Sequence, residues 1–532
     1  MGTTGSVDVI VVGAGVAGLY MIHKLRSVNL TTRCFEAGTD VGGTWYWNRY
    51  PGARCDVESI DYSYSFDPAL EQEWDWNERY ATQPEILRYL GHVADRYDLR
   101  RSITFCTRVT SAEFDEQAGR WLVRTDSGEA WSARFCVFAT GSLSAATVPD
   151  IAGLDEFTGR WYHTGLWPHE EVDFTGRRVG IIGTGSSGIQ STPVIARQAA
   201  HLYVFQRTAN FSIPANNRSH TPESRAAYKA TYAERRRKSL ESGGGSPLEP
   251  YPKNTLEVTS QVRRSVYEKR WEFGGVQFSK TFPDQLKDKA ANDEAAAFFT
   301  EKTRAMIDDP AIADLLIPTD HPIGTKRICT DTDYYPTFNR DNVTLVDIRS
   351  APIERITAAG IRTAAAEYQL DDIVLATGFD AMTGALAKID IRGRDGLALR
   401  TAWSAGPRTY LGLTVAGFPN MFIITGPGSP SVLANMILAA EHHVEWIADA
   451  IIHVDAGGRT AIEAGNQAQD RWVEYCNELA DQTLFPAANS WYLGANIPGK
   501  PRVFMPFIGG FGVYRKICAE VTADGYRGFV LA

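Results

Sequence analysis

Cysteine is scarce in this chain, and none of it is placed for a metal or a redox centre. The seven cysteines stand at positions 34, 55, 106, 136, 329, 476 and 518, and no two have CxxC spacing. An odd, dispersed set is typical of reduced thiols and argues against a disulfide framework and against a zinc site. His442-His443 has no acidic or thiol residue at ligand spacing, so we expect no metal.

Long apolar runs and an excess of positive charge are also missing. No apolar run approaches the ~20 residues that a membrane-spanning helix needs, and a strand-like run from Val7 leaves no room for a signal peptide. Met1-Gly2 with Ser6 fits a myristoylation pattern, which we interpret as accidental. A net charge of −9 argues against nucleic acid as the main partner. We expect a cytoplasmic protein without nucleic-acid or membrane partners. The sequence leaves its oligomeric state open, and a monomer is compatible with it.

The first part of the chain has the pattern of a nucleotide-binding βαβ unit. At 532 residues the chain exceeds the size of one hydrophobic core, so two or three domains are expected. Residues 7–12 predict a buried strand, Gly13-Ala-Gly15-Val-Ala-Gly18 follows, and residues 18–27 predict a helix. A second strand over 31–36 ends in Glu36.

The same order of elements returns in the middle of the chain. A strand over 178–182 is followed by Gly183-Thr-Gly185-Ser-Ser-Gly188, a helix, and a strand over 202–206. A lone GxGxxG turn is weak evidence, but both copies follow a strand and precede a helix, which is the confirming context. The three glycines permit a tight bend, close approach to a pyrophosphate, and close packing of helix on strand. The chain therefore predicts two dinucleotide sites.

The residue that ends each second strand separates the two ligands. Glu36 lies 18 positions after Gly18, where a carboxylate can accept hydrogen bonds from a ribose diol. Arg207 lies 19 positions after Gly188, where a guanidinium suits a 2′-phosphate. Either residue alone could be an ordinary surface charge, but their complementary placement favours ligand contacts. The first site therefore favours FAD and the second favours NADP over NAD.

Residues 42–56 form a loop whose composition would be unfavourable if the loop served only the folding of the protein. It reads Gly-Gly-Thr-Trp-Tyr-Trp-Asn-Arg-Tyr-Pro-Gly-Ala-Arg-Cys-Asp, with several large aromatic rings, a Pro-Gly turn and a terminal aspartate. A flat apolar ring such as the flavin isoalloxazine would explain such a cluster.

A second motif stands just before the second glycine-rich turn. Residues 157–168 read Phe-Thr-Gly-Arg-Trp-Tyr-His-Thr-Gly-Leu-Trp-Pro. This stretch resembles the FxGxxxHxxxW(P/D) fingerprint of the type I Baeyer–Villiger monooxygenases, and residues 42–56 resemble the GxWxxxxYPGxxxD signature of the same family. The resemblance covers essentially the whole chain and is closest to the phenylacetone and steroid monooxygenase branch.

The resemblance implies an NADPH- and O2-dependent enzyme that converts ketones to esters or lactones. In the family, NADPH reduces FAD, O2 adds at flavin C4a, and the resulting peroxyflavin attacks the ketone carbonyl. Each step places negative charge on oxygen, so a fixed cation beside the flavin is needed. The catalytic arginine of the family corresponds to Arg327 in Gly324-Thr-Lys-Arg, and Asp56 corresponds to the aspartate that positions it. Arginine keeps its charge where a buried lysine can lose it.

The resemblance also implies the cofactor contacts, residue by residue. For FAD they are Gly13, Gly15, Gly18, Glu36, Thr44, Trp45, Tyr46, Trp47, Arg54, Cys55, Asp56, Tyr62, Val109 and Met436. For NADPH they are Thr184, Ser186, Ser187, Gly188, Gln190, Arg207, Thr208, Lys326, Arg327 and Trp491. His163 of the fingerprint lies between the nucleotide domains, and we interpret it as a structural hinge rather than an acid or base.

The rest of the chain fits around the two nucleotide units. Ala-Thr-Gly at 139–141 and again at 376–378 ends an apolar strand each time, which suggests crossings between domains. Residues 215–326 are rich in Lys, Arg, Glu and Ala and predict a mostly helical insertion. Its run 235–238, Arg-Arg-Arg-Lys, is typical of a solvated helix face. A long helix over about 432–452 follows the turn 426–431. We expect its N-terminus to face the pyrimidine end of the flavin.

Three alternatives remain open to experiment. A flavin-containing monooxygenase that oxygenates nitrogen or sulfur shares the two-nucleotide pattern, but the fingerprint at 157–168 argues against it. A disulfide reductase of the same fold is disfavoured because no CxxC lies near the flavin loop. A non-catalytic flavoprotein that senses NADPH is disfavoured by intact motifs at both sites and at Arg327.

The predicted fold is α/β, with two Rossmann-like dinucleotide-binding domains and a helical insertion. We expect an FAD domain over 1–142 and 380–532, an NADP domain over 150–212 and 328–379, and the insertion over 213–327. The ketone is not determined by the sequence: small methyl, aryl, cyclic and steroid ketones remain open. The pocket residues that the resemblance suggests are Val57, Ser142, Leu143, Ser431, Val432, Leu433, Met436 and Ile437.

Overall fold

The computed structural model describes residues 3–532, and the Met1-Gly2 pattern lies outside this range. The strands are β1 Gly5–Val12, β2 Thr32–Phe35, β3 Ile103–Thr104, β4 Val109–Asp115, β5 Arg120–Thr125, β6 Ala130–Phe138, β7 Arg160–His163, β8 Arg178–Ile182, β9 His201–Gln206, β10 Ser212–Pro214, β11 Cys329–Asp331, β12 Val343–Asp347, β13 Ile353–Thr357, β14 Gly360–Thr363, β15 Glu367–Gln369, β16 Asp372–Leu375, β17 Asp390–Arg392, β18 Met421–Ile423, β19 Ile462–Ala464 and β20 Phe529–Leu531. The helices are α1 Val16–Ser27, α2 Thr44–Trp47, α3 Pro68–Glu73, α4 Gln83–Arg96, α5 Ser186–Gln198, α6 Pro222–Glu241, α7 Ser260–Phe273, α8 Lys289–Arg304, α9 Pro310–Leu316, α10 Tyr334–Thr337, α11 Gly384–Ala387, α12 Leu399–Ala402, α13 Met436–Ala456, α14 Asn466–Asp481 and α15 Phe511–Ala523.

The first sheet gathers strands from both ends of the chain. Its order is β17-β4-β5-β6-β1-β2-β3, and β18 also pairs with β6. β1 runs parallel to β2 and to β6, and α13 packs against α1 on one side of the sheet. Because β17 and β18 come from the C-terminal part, this sheet fits the expected two-part first domain. The exact division of the chain remains a prediction.

The second sheet contains the second nucleotide unit. Its order is β12-β9-β8-β16-β7, and every neighbouring pair is parallel. All four residues of β16 and four of the five residues of β8 are buried, as expected for a parallel sheet covered on both faces. The α/β fold with two nucleotide-binding units is thereby confirmed.

Two linker segments connect the two sheets, and they run side by side. Ala146 and Phe379 form an antiparallel bridge. The backbone N–H of Thr147 donates to Gly378 O at 3.0 Å, and the Thr377 hydroxyl donates to Thr147 O at 2.7 Å. The two Ala-Thr-Gly segments therefore lead into a paired crossing, as their repetition suggested.

The insertion is helical and packs against the first domain. It contains α6 to α9, and the short parallel pair β10–β11 closes its base. The prediction of a solvated face for the run 235–238 is only half right. Arg235 pairs with Glu58 and Asp61, and the buried Arg236 pairs with Glu71, so these two residues fix α6 to the first domain. No helix within residues 3–532 is long and apolar enough to cross a membrane.

Candidate functional site

The first glycine-rich turn has the geometry of a pyrophosphate cradle. Gly13 has φ +101°, and a β-carbon there would lie 2.7 Å from Ala139 O. A β-carbon on Gly18 would lie 1.8 Å from Gly13 O, so helix α1 can pack on β1 only with glycine at this position. Gly15 faces Gly43 of the aromatic loop, with 3.3 Å from its built β-carbon to Gly43 Cα. The two glycines therefore allow the turn and the loop to make close backbone contact.

Glu36 lies beside this turn, as its spacing predicts. It is buried, and its two carboxylate oxygens accept the backbone N–H groups of Ala14 and Gly38, each at 2.7 Å. These bonds fix the carboxylate, and each oxygen retains a further lone pair. The first turn and Glu36 therefore fit a dinucleotide with free ribose hydroxyls.

The second turn repeats the same construction. Gly183 has φ +111°, and a β-carbon on Gly188 would lie 2.1 Å from Gly183 O. Around Gly185, in contrast, a β-carbon would meet no protein atom within 4 Å. Open space above the middle glycine, at the N-terminus of α5, is where a pyrophosphate would approach the backbone.

The hydroxyl groups of the second turn are held by neighbouring segments. Thr184 donates to Thr208 O at 2.7 Å, which ties the turn to the end of β9. Ser187 Oγ lies 3.1 Å from Thr164 Oγ1, and Ser186 Oγ lies 3.4 Å from Cys329 Sγ. Ser186 therefore lies next to the strand that follows Arg327.

Gln190 has a different position from the one expected for a pyrophosphate ligand. Its Oε1 accepts the Tyr50 hydroxyl at 2.8 Å, and its Nε2 donates to Arg54 O at 3.2 Å. A β-carbon on Gly52 would lie 2.4 Å from Gln190 O, so only glycine allows this approach. The side chain of Gln190 therefore joins the aromatic loop to α5 and brings the two nucleotide turns together.

Arg327 and Asp56 form a two-pronged ion pair between distant parts of the chain. Arg327 Nε donates to Asp56 Oδ2 at 2.7 Å, and Nη2 donates to Oδ1 at 2.8 Å. A third bond runs from Nη1 to Val432 O at 2.8 Å. The side chains are 28% and 20% exposed, so the pair borders open space. Two of the five N–H groups of the guanidinium remain free of these partners.

The ion pair keeps the guanidinium charged. Burial alone would lower the pKa of Arg327, but the charge and hydrogen bonds of Asp56 raise it above its usual value. The side chain of Tyr492 lies close enough to interact with Arg327, and burial raises the pKa of its hydroxyl. Arg327 is therefore a permanent cation at any pH at which the protein is folded.

Arg207 and Lys326 form a second cationic pair at the end of β9. Burial lowers the pKa of Lys326, Asp320 raises it, and the positive charge of Arg207 lowers it further. Lys326 Nζ lies 3.7 Å from Asp320. Arg207 is exposed and has no ion pair within residues 3–532. Its guanidinium is available to a phosphate.

The aromatic side chains of the loop 42–56 make two separate sets of contacts. Trp45 Nε1 donates to the Tyr62 hydroxyl at 3.1 Å, and the two rings pack edge to face. Tyr46 instead binds Thr39 through its hydroxyl and stacks near His169, with Trp47 beside it. Tyr46 is therefore engaged in holding the loop itself.

Of four further predicted contacts, two have protein partners. Arg54 pairs with Glu78 at 2.9 Å. Cys55 Sγ accepts the Val57 N–H at 3.4 Å, and burial raises the pKa of its thiol, so it is an inert neighbour of Asp56. Thr44 is exposed at the start of α2, just after Gly43. Val109 is buried at the start of β4.

The C-terminal segments close the site. Helix α13 begins at Met436, four residues later than predicted, because Asn435 caps it by accepting from the N–H groups of Ile437 and Leu438. Met436 and Trp491 pack against one apolar cluster that also contains Val432. Of the suggested pocket residues, Ile437 is 0% exposed and belongs to the core, whereas Leu433 and Met436 keep free surface.

His163 of the fingerprint lies at the paired crossing and not at the ion pair. Its Nδ1 accepts the Gly165 N–H at 2.9 Å, its ring meets Phe379 edge on, and burial lowers its pKa. A neutral, buried imidazole beside both linkers supports the interpretation as a hinge. His443 is also structural, since it accepts from Thr425 N at 2.8 Å and lies 2.9 Å from the Tyr514 hydroxyl.

Two functional contacts could not be found from the sequence. The carbonyl of Val432 aims Arg327, but a main-chain acceptor leaves no signal in residue identity. Tyr50 holds Gln190, and its only signal is membership of the aromatic loop.

Comparison with known proteins agrees with this geometry. A family described as flavin-binding monooxygenase-like matches residues 6–223. The chain is 42% identical to an acetone monooxygenase (methyl acetate-forming) of Gordonia sp. (strain TY-5), with 100% of both chains covered. It is 41% identical to a phenazine N-monooxygenase of Lysobacter antibioticus, with 98% of this chain and 97% of the relative covered.

Two solved structures share the whole fold. A steroid monooxygenase in its oxidized form, bound to NADP, is 64% identical with a TM-score of 0.96, covering 99% of each chain. A complex of the protein named OTEMO with FAD and NADP is 41% identical, also with a TM-score of 0.96 and 99% coverage of each chain.

Alanine at the two later glycines of the second turn should act in different ways. Gly185→Ala meets no protein atom, so the melting temperature should stay within about a degree, because substitutions away from strained sites cost little. The added methyl should obstruct the pyrophosphate and raise the KM for NADPH roughly tenfold or more.

Gly188→Ala is the matched control. Its methyl would lie 2.1 Å from Gly183 O, so it should lower the melting temperature and reduce the yield of folded protein. Calorimetry and steady-state kinetics measure both effects. An unchanged KM for NADPH in Gly185→Ala would show that no phosphate passes over this glycine.

Proposed function

The chain belongs to the type I Baeyer–Villiger monooxygenases, within the flavin-binding monooxygenase-like family, and from that premise we propose which of its residues carry the reaction. The enzyme converts a ketone to an ester or lactone and depends on FAD and NADPH. One oxygen atom of O2 enters the product next to the carbonyl carbon, and the other leaves as water with two electrons from NADPH and a proton. When bound, the flavin supplies the chemistry that activates O2.

The residues of both turns fit the two nucleotides. Open space above Gly185 suits a pyrophosphate group, which a side chain there would displace, and the close contact of Gly15 with Gly43 keeps side chains away from the first turn. Glu36 would hold the ribose hydroxyls of FAD, and Arg207 with Lys326 would hold the 2′-phosphate of NADP. The FAD domain would comprise 1–142 and 380–532, the NADP domain 150–212 and 328–379, and the insertion 213–327.

The observation that carries the proposal is the two-pronged bond between Arg327 and Asp56. When oxygen adds to the substrate carbonyl, negative charge develops on the carbonyl oxygen. Preorganised donors aimed at such a charge lower the barrier because they need no reorganisation during the reaction. Arg327 supplies a fixed charge and N–H groups that Asp56 and Val432 do not use. Asp56 and the carbonyl of Val432 hold the guanidinium in place, so Asp56 is a positioning residue in this proposal.

Arg327→Ala should leave reduction of the bound flavin by NADPH possible but abolish ester formation. Loss of one oxyanion donor typically costs 10²- to 10³-fold in rate, and loss of the charge adds to this. Product analysis by mass and stopped-flow absorbance of the flavin measure the two steps separately. Arg327→Lys is the matched control, which keeps a charge but cannot make the two-pronged bond. Normal ketone oxygenation in the alanine variant would refute the assignment.

Arg207→Ala should weaken NADPH far more than NADH. A hydrogen bond to a charged group is worth about 1.5–3 kcal/mol, so we expect KM for NADPH to rise roughly 10- to 100-fold, with KM for NADH nearly unchanged. Steady-state assays with both coenzymes measure the ratio. An equal loss for both coenzymes would remove the phosphate role from Arg207.

A second activity, oxygenation of a nitrogen, is favoured by the relatedness to a phenazine N-monooxygenase. In that reaction the nitrogen lone pair attacks oxygen and no carbonyl oxyanion forms, so the demand on Arg327 is smaller. A substrate panel with acetone, a cyclic ketone, a steroid methyl ketone and phenazine distinguishes the two reactions by product mass. The proposal requires a ketone to be oxygenated.

A further inference from the structure

Lys280 is a cation that the mechanism does not use, although it lies close to the reacting region. It ends the turn Val276–Lys280 of the insertion. Within residues 3–532 its ammonium makes no hydrogen bond and no ion pair, and it is not among the surface lysines that pair with a neighbouring carboxylate, such as Lys289. A cation of this kind needs an explanation if it does not face bulk water.

Two observations indicate that the ammonium faces an interior space. The side chain of Lys280 is exposed. Yet burial, and then the positive charge of Arg327, lower the pKa of Lys280 to about 8. A group in bulk water would show neither effect. Free surface combined with loss of hydration is typical of a side chain that projects into a cavity.

The position of this space follows from the neighbours of the ammonium. A methyl group built on Gly244 would lie 2.6 Å from Lys280 Nζ and 4.0 Å from Leu433 O. Leu433 follows Val432, whose carbonyl holds Arg327. The ammonium therefore lies near the segment that holds the guanidinium, and Leu433 of that segment is partly exposed.

The turn that carries Lys280 is rigid and borders a path to the ion pair. Phe278 is 0% exposed, and its carbonyl accepts the Thr281 hydroxyl at 2.8 Å and the Gln285 amide at 3.1 Å. Val276 and Gln277 line a cavity of about 250 Å³ that reaches Asp56. A fixed turn can present a charge at a constant place beside the substrate.

The charges around the reacting region do not balance. Asp56 is engaged by Arg327 through both oxygens, and no carboxylate acts on Lys280. Glu58 and Asp61 also line the cavity, but their carboxylates are engaged by Arg79 and Arg235. Arg327 and Lys280 thus share the one remaining counter-charge, that of Asp56. A ligand with an oxygen that can accept from the ammonium, and above all a carboxylate, would complete the balance.

We propose that Lys280 is a specificity-determining residue, whose ammonium binds an oxygen substituent of the ketone and favours keto acids over plain alkyl ketones. The proposal rests on the proposed function, since it places the ketone between Arg327 and Leu433. It concerns only which ketone is preferred and adds no step to the reaction.

The test compares ketones that differ in one group, at pH 7.0, where the amine is mostly protonated. The substrates are 2-hexanone, the 4-oxopentanoate, 5-oxohexanoate and 6-oxoheptanoate anions, and the methyl ester of the preferred acid. The measured quantity is the ratio of kcat/KM for each oxygen-bearing ketone to kcat/KM for 2-hexanone. In Lys280→Gln this ratio should fall at least tenfold for the preferred acid and less for its ester.

Two variants serve as controls. Lys280→Arg keeps the charge and should keep the ratio within threefold of the original protein. Lys287→Gln removes an exposed lysine seven residues further along the insertion and should not change the ratio. FAD content and KM for NADPH are measured for every variant, because a contact of Lys280 with the cofactor would change KM for NADPH and not the ratio, which would overturn the proposal.

A measurement on the unchanged holoenzyme covers the case in which Lys280→Gln does not fold. Hexanoate should inhibit oxidation of 2-hexanone competitively and at least tenfold more strongly than 1-hexanol does. Equal inhibition by the two, or an unchanged ratio in Lys280→Gln, would overturn the role of Lys280. If no ketone of the series and no ketone of the wider panel were oxygenated, the proposed function itself would fail instead.

Discussion

The structure of the site depends on one ion pair that crosses the chain. Asp56 belongs to the loop after the first nucleotide turn, whereas Arg327 lies at the end of the insertion, 271 residues later. A guanidinium in a partly buried place loses hydration, and only a carboxylate held in two-pronged geometry compensates this loss well. Because the third bond goes to Val432 O, segments from three regions of the sequence must meet correctly before the cation points at the reacting space.

The two nucleotide turns are brought to this ion pair by close backbone contact. Gly52 approaches Gln190, and the side-chain amide of Gln190 accepts from Tyr50 and donates to Arg54 O. Gly15 and Gly43 meet within the first site. Glycine is required at such points because a β-carbon would separate the segments. The aromatic loop therefore has two tasks: it packs with its own rings, and it fixes α5 relative to the first sheet.

Much of the fold follows from local sequence patterns, and the site follows only in part. The turns after β1 and β8 were predictable because each needs glycine for steric reasons and is flanked by a strand and a helix. The start of α13 was misplaced because Asn435, the cap, lies within an apolar stretch whose periodicity begins earlier. Arg235 and Arg236 could not be distinguished from Arg237 by sequence, since their partners Glu58, Asp61 and Glu71 are far away in the chain.

The roles of Gln190 and Val432 show a general limit of predicting side-chain contacts from sequence. A residue in a motif can be recognised, but its side chain may be directed to a contact that the motif does not encode, as Gln190 is directed to Arg54. The distribution of charged residues gives further information about the site. Although the chain carries a net charge of −9, the cations Arg207, Lys326, Arg327 and Lys280 all belong to the proposed ligand sites. Cations that repel one another lower the stability of a folded protein, and in the proposed roles ligands supply the missing negative charge: a phosphate at Arg207 and Lys326, and an oxyanion with a substrate oxygen at Arg327 and Lys280.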